Sequence, residues 1–156
     1  MKLHRALAIA SLLVATCGAA APPPAIMSTV DGVIAAANAN DISRLNSFFT
    51  QDAVLIDEFA PFVWKGPNAG ARWWGELDAM NAASHISNVH IAVQQVTQSN
   101  VTRGHAYVVL HLVITWRDHG KPWRESGLWA LTLHTGSASW KIATASWATG
   151  SVISEL

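Results

Sequence analysis

The chain has 156 residues, 51% of them hydrophobic, and its ten basic side chains balance ten acidic ones. That length suits one domain with its own core, the 13% charged fraction excludes a solvated, disordered chain, and zero formal charge excludes the basic footprint of a nucleic-acid binder. A single cysteine excludes an internal disulfide framework and a cysteine-cluster zinc site, which leaves the eight tryptophans as the feature to explain.

Residues 1–21 read as a secretory signal. Lys2 and Arg5 form a basic start, Ala6 to Ala15 is an apolar run, and Gly18-Ala19-Ala20-Ala21 supplies small residues for cleavage after Ala19 or Ala20. The run is too short for a permanent membrane span, and no second stretch of about eighteen apolar residues follows. A secreted or periplasmic location is expected. Val14-Ala15-Thr16-Cys17 partly matches a lipobox, so lipid anchoring through Cys17 is the lesser alternative. Lys2 and Arg5 leave with the signal while no acid does, so the remaining chain carries a net charge of −2.

Residues 22–27 read as a proline-stiffened spacer. Ser28 or Asp31 can cap a helix running to about Asn38, with Ile26, Val30, Val33, Ile34 and Ala37 on one stripe. Asp41-Ile42 opens a second, short helix. Asp52 to Trp64 reads as extended with a break at Pro61, and Lys65-Gly66-Pro67-Asn68 is a turn. A third helix is expected from Pro67 to about Ala82, with Ala69, Trp73, Leu77 and Met80 on one face. From Ile86 the period becomes two. His105 to Trp116 is the longest expected strand, with Ala106, Val108, Leu110, Leu112, Ile114 and Trp116 all apolar on its even face. Turns at 118–121 and 135–137 deliver strands over Arg124–His134 and Ser139–Thr149. Three helices followed by an antiparallel meander make an α+β plan, with the helices on one face of the sheet.

The sequence resembles the SnoaL-like and ketosteroid-isomerase-like proteins of the nuclear-transport-factor-2-like superfamily. The resemblance rests on Asn38-Ala39-Asn40-Asp41-Ile42, Phe49-Thr50-Gln51-Asp52-Ala53-Val54-Leu55, Lys65-Gly66-Pro67, Glu125-Ser126-Gly127-Leu128-Trp129-Ala130-Leu131 and Trp140-Lys141-Ile142. It implies a cone, in which a curved antiparallel sheet wraps three N-terminal helices around an apolar pocket. The domain then covers 28–150, with a tail at 151–156. The superfamily hosts isomerases, dehydratases, cyclases, hydrolases and binders, so the fold alone assigns no activity.

The resemblance puts Asp57 where ketosteroid-isomerase-like members carry a general-base carboxylate, with Glu58 as the neighbouring alternative. A carboxylate at the mouth of an apolar pocket has its pKa raised by desolvation, which suits proton abstraction near neutral pH. By the resemblance, the family's oxyanion-hole phenol and acid fall at Val33 and Trp129, neither of which can donate as those groups do, and this argues against steroid isomerisation. Strand alternation after Trp140 places Ile142, Thr144 and Ser146 on one face, so Thr144 and Ser146 are expected pocket hydroxyls. Trp73, Trp116 and Trp129 are expected to converge on the pocket, with Trp64, Trp74, Trp123 and Trp147 at the rim or an interface. His90, His105, His111 and His134 share the outer face, and His105 and His111 stand roughly 20 Å apart at about 3.3 Å per residue, too far to chelate one ion. His85 can approach the rim. No metal and no cofactor is expected.

These residues lead to an exported protein that binds a small apolar or aromatic molecule, with a homodimer formed through the outer sheet face. Two alternatives stay open: a cofactor-independent lyase, isomerase or hydrolase with Asp57 as base, and a protein-interaction module whose pocket is filled.

Overall fold

Apolar residues three and four apart drive the first element. A computed structural model describes residues 21–136 and 139–155, and in it α1 spans Pro24–Asn38. The expected signal, with Cys17, lies outside the described residues. Helix α1 buries Ile26, Val30, Val33, Ile34 and Ala37. It starts four residues before the expected Ser28 cap, because Pro24 occupies a first-turn position where proline's fixed φ and missing N–H do no harm. Part of the expected spacer is therefore helix. Helix α2, Ile42–Asn46, begins where the Asp41 side chain accepts a 3.0 Å hydrogen bond from the Arg44 N–H.

Strand β1 (Phe49–Ile56) runs antiparallel to the short β2 (Val63–Lys65). Helix α3, Ala69–Ala83, packs back on β1 through Gly70, where a Cβ would meet the Phe49 ring at 2.5 Å. Its first turn borrows a cap from α2, since the Ala71 N–H donates to Asn46 Oδ1 at 3.1 Å. Four long strands complete the chain: β3 (Ile86–Thr102), β4 (His105–Asp118), β5 (Lys121–Thr135) and β6 (Trp140–Ser154). The sheet order is β2-β1-β6-β5-β4-β3, with β1 parallel to β6 and the other pairings antiparallel. The fold is α+β, three helices and a bulged sheet, but the sheet is mixed rather than a pure meander. Residues 151–154, expected as tail, extend β6 against Trp123–Ser126.

The helices cover the sheet face that carries Val108, Leu110, Leu131, Leu133 and Ile142, all fully buried. Each such aliphatic side chain contributes about 1.5–3 kcal/mol through burial. Asn38 clasps α1 to β3 at two points: its Nδ2 donates to Ile91 O at 2.9 Å, and its Oδ1 accepts from the Ile91 N–H at 2.8 Å.

One irregularity decides which side chains face the helices. Leu133 pairs with Ile142 but Thr132 pairs with Thr144, so Ala143 is an extra residue in β6. A one-residue bulge reverses the alternation beyond it. Ile142 points to the core, and so do Ala145 and Trp147, while Thr144 and Ser146 turn to the opposite face.

Candidate functional site

Helices α1 and α3, the loop after β1 and the inner face of β3–β6 enclose a cavity of about 250 Å3. Buried Val33, Leu45, Leu112 and Trp129 form its floor, and exposed Glu58 and Met80 stand at its rim. Five indoles line it: Trp73 and Trp74 from α3, Trp116 from β4, Trp129 from β5 and Trp147 from β6. Trp73 and Trp74 meet edge to face with centroids 5.6 Å apart. The wall is mostly apolar.

Asp57 reaches this cavity from a tight loop. Its N–H donates to Phe62 O at 3.2 Å, and the Phe62 N–H donates to Phe59 O at 2.8 Å, which folds residues 57–62 back on themselves. The Phe59 ring packs on Trp64 with centroids 4.8 Å apart and anchors the loop to the core. The carboxylate accepts twice, from Trp73 Nε1 at 2.8 Å on Oδ2 and from the Glu58 N–H at 2.7 Å on Oδ1. Desolvation raises the Asp57 pKa above the usual carboxylate value, and the two hydrogen bonds oppose that rise without cancelling it.

A second polar group ties Glu58 to strands β5 and β6. Thr149 Oγ1 is hydrogen-bonded to Glu58 Oε1 and lies 2.5 Å from Glu125 Oε1, while Trp147 Nε1 is 3.0 Å from both Glu125 Oε1 and Thr149 Oγ1. Gly127 makes room for this arrangement. A Cβ there would sit 2.4 Å from Ala148 O and 2.6 Å from Trp147 Cζ2, so a larger residue would push the indole off β5.

Of the residues singled out from sequence, Asp57, Trp73, Trp116 and Trp129 line the cavity together, and Glu58 joins them. Thr144 and Ser146 do not. The bulge at Ala143 turns them outward, where Thr144 Oγ1 lies 2.7 Å from Thr132 Oγ1 on the exposed face, so the expectation of pocket hydroxyls is corrected. Trp64 and Trp74 are core residues rather than rim residues, 1% and 6% exposed. Trp64 Nε1 donates to Glu76 and Trp74 Nε1 to Asn40, each at 2.8 Å. Trp147 faces the cavity for the same reason that Ser146 does not. Neither Glu125 nor Thr149 is a site residue expected from the sequence. Glu125 was open to discovery, since it shares the two-residue period of Gly127, Trp129 and Leu131.

Among the described residues the histidines stay outside the cavity lining. His105 and His134 pair across β4 and β5 with ring centroids 4.7 Å apart, and His85 packs at a tilt against His119 with centroids 4.8 Å apart, outside the lining. Among the described residues no three His, Cys, Asp or Glu side chains come together as a metal site. Among them, too, no helix is long and apolar enough to cross a membrane.

The SnoaL-like domain model matches residues 24–146. Comparison with curated proteins returns no match. Solved structures with the same fold include the hexachlorocyclohexane dehydrochlorinase LinA-type3 from Novosphingobium barchaimii, 10% identical over 84% of this chain and 88% of that one, with a TM-score of 0.71. An NTF2-like protein with a cystatin-like fold from Novosphingobium aromaticivorans is 17% identical over 80% of this chain and 79% of its own, with a TM-score of 0.67. A ketosteroid isomerase-like protein from Erwinia carotovora atroseptica is 17% identical over 81% and 95%, with a TM-score of 0.65.

Proposed function

We propose that this chain, which belongs to the SnoaL-like domain family, binds a small apolar or aromatic molecule in the cavity between its helices and its sheet. The observation that carries the reading is the cavity itself: five indoles stand around open volume instead of filling it. A filled pocket was the basis of the protein-interaction alternative, and the open volume weighs against it. The test is native mass spectrometry with tryptophan-fluorescence screening of a metabolite library against the wild type and Asp57→Asn. A ligand retained at one per chain, with quenching of indole emission, supports the reading; no retained ligand and no quenching counts against it.

A second reading, favoured by the geometry of Asp57, is cofactor-independent lyase, isomerase or hydrolase chemistry. Asp57 has a raised pKa, an indole N–H holding one oxygen, and an apolar space in front of it, which together suit a general base. A structural relative bears the name of a dehydrochlorinase. Under this reading Asp57→Asn abolishes product formation and leaves ligand retention in place. Export by the N-terminal signal and a homodimer through the outer sheet face, where Tyr107 and Leu128 are 40% and 45% exposed, belong to the same proposal.

A further inference from the structure

The charged part of the cavity wall is one-sided. Asp57, Glu58 and Glu125 all line it, and among the described lining residues there is no lysine, arginine or histidine. Carboxylates of this kind ordinarily find a cationic partner or donors enough to satisfy them. Donors here fall short. Thr149 has one hydroxyl hydrogen and stands against both Glu58 Oε1 and Glu125 Oε1, and the one Trp147 N–H is shared between Glu125 and Thr149. Two hydrogens therefore serve three oxygens, and a positive charge placed at this point would be attracted by both carboxylates.

The rest of the wall is built from indole faces. An indole ring attracts a cation through its quadrupole, and this attraction is strongest where water is excluded. Aromatic walls accept neutral molecules equally, and acidic side chains alone would mark no ligand. Their coincidence around one cavity does set a sign, because an anion would meet three carboxylates with no basic lining residue to offset them.

We infer that the ligand this cavity selects is a hydrophobic organic cation, with its charged nitrogen held by Glu58 and Glu125 and its apolar body packed against the indoles of Trp73, Trp116 and Trp129. The inference rests on the small-molecule reading of the same cavity and adds its charge. It predicts discrimination against anions by like-charge repulsion and against neutral molecules by loss of the cation–π and ionic contacts.

The test uses three probes that share a benzyl group: benzyltrimethylammonium, its uncharged carbon isostere neopentylbenzene, and the anion 3-phenylpropionate. Each is titrated against the full chain by indole fluorescence and calorimetry. The cation is expected to bind about tenfold more tightly than the isostere, and the anion more weakly than either. Glu58→Gln with Glu125→Gln is expected to erase the preference for the cation while leaving the isostere's affinity and the melting temperature in place. Equal or tighter binding of the isostere overturns the cation inference and leaves the small-molecule pocket standing. Tightest binding by the anion also overturns it. Binding of none of the three counts against the small-molecule reading and the charge assignment together.

Discussion

The indole N–H of Trp73 donates to Asp57 Oδ2 across 2.8 Å, so helix α3 and the loop after β1 are joined at the cavity wall. The bond stabilises the ionised carboxylate, whereas the burial that accompanies it favours the protonated one. Burial is the larger effect. The carboxyl is thus held at a raised pKa with one oxygen fixed in place. Trp73→Phe removes the donor and keeps most of the packing. The Asp57 pKa is expected to rise further, and any activity that needs the ionised form shifts its acid limb to higher pH. Carboxyl-detected NMR titration reads the change; a fall in pKa would contradict the assignment.

Asp57 also makes stability depend on pH. Its folded-state pKa is raised, so the native chain holds the proton more tightly than the unfolded chain does. Stability from this residue is fully present below the unfolded carboxylate pKa and is lost as pH rises through the folded one. Asp57→Asn is therefore expected to stabilise the fold at neutral pH, with the gain vanishing as pH falls toward 3.8. Urea melts of both proteins across that range test the sign.

The bulge at Ala143 separates two classes of β6 residue. Thr144→Val and Ser146→Ala lie on the outer face, and both are expected to leave ligand affinity within about twofold of wild type, whereas Trp116→Ala, on the cavity wall, lowers it about tenfold or more. A large effect from either outer substitution would place that hydroxyl in the pocket.

Gly127 gives a sharper structural test. Its Cβ position is occupied by Ala148 O and the Trp147 ring, so Gly127→Ala is expected to cost about 1–3 kcal/mol by overpacking. It should also displace the Trp147 indole from Glu125. A blue- or red-shifted indole emission with a lowered denaturation midpoint would report both.

Much of the fold was legible in the sequence because it is written in periodicity. The α1 stripe from Ile26 to Ala37, the start of α2 at Asp41-Ile42 and the all-apolar even face of β4 fall where the pattern puts them. The resemblance located Asp57, and the helical spacing of Trp73 put it on the inner face. The last strand was misread for a physical reason. Alternation assumes an unbroken two-residue period, and nothing in Ile142-Ala143-Thr144 announces that Ala143 drops out of the pairing with β5. Trp74, expected at the rim or an interface, is instead buried with its N–H on Asn40. Indoles combine an apolar ring with a donor, so a tryptophan's depth depends on a distant acceptor that sequence spacing does not reveal.

On the proposed reading, the space between the helices and the sheet is a ligand site. The direct measurement is a fluorescence titration of the wild type and Leu77→Trp with the neutral apolar dye N-phenyl-1-naphthylamine. Leu77 lines the cavity from α3, so a tryptophan there fills it from the helix side. Saturable binding of one dye per chain in the wild type, weakened about tenfold or more in a folded Leu77→Trp protein, is the predicted result. Equal affinity in the two proteins, or no saturable binding in the wild type, would contradict it.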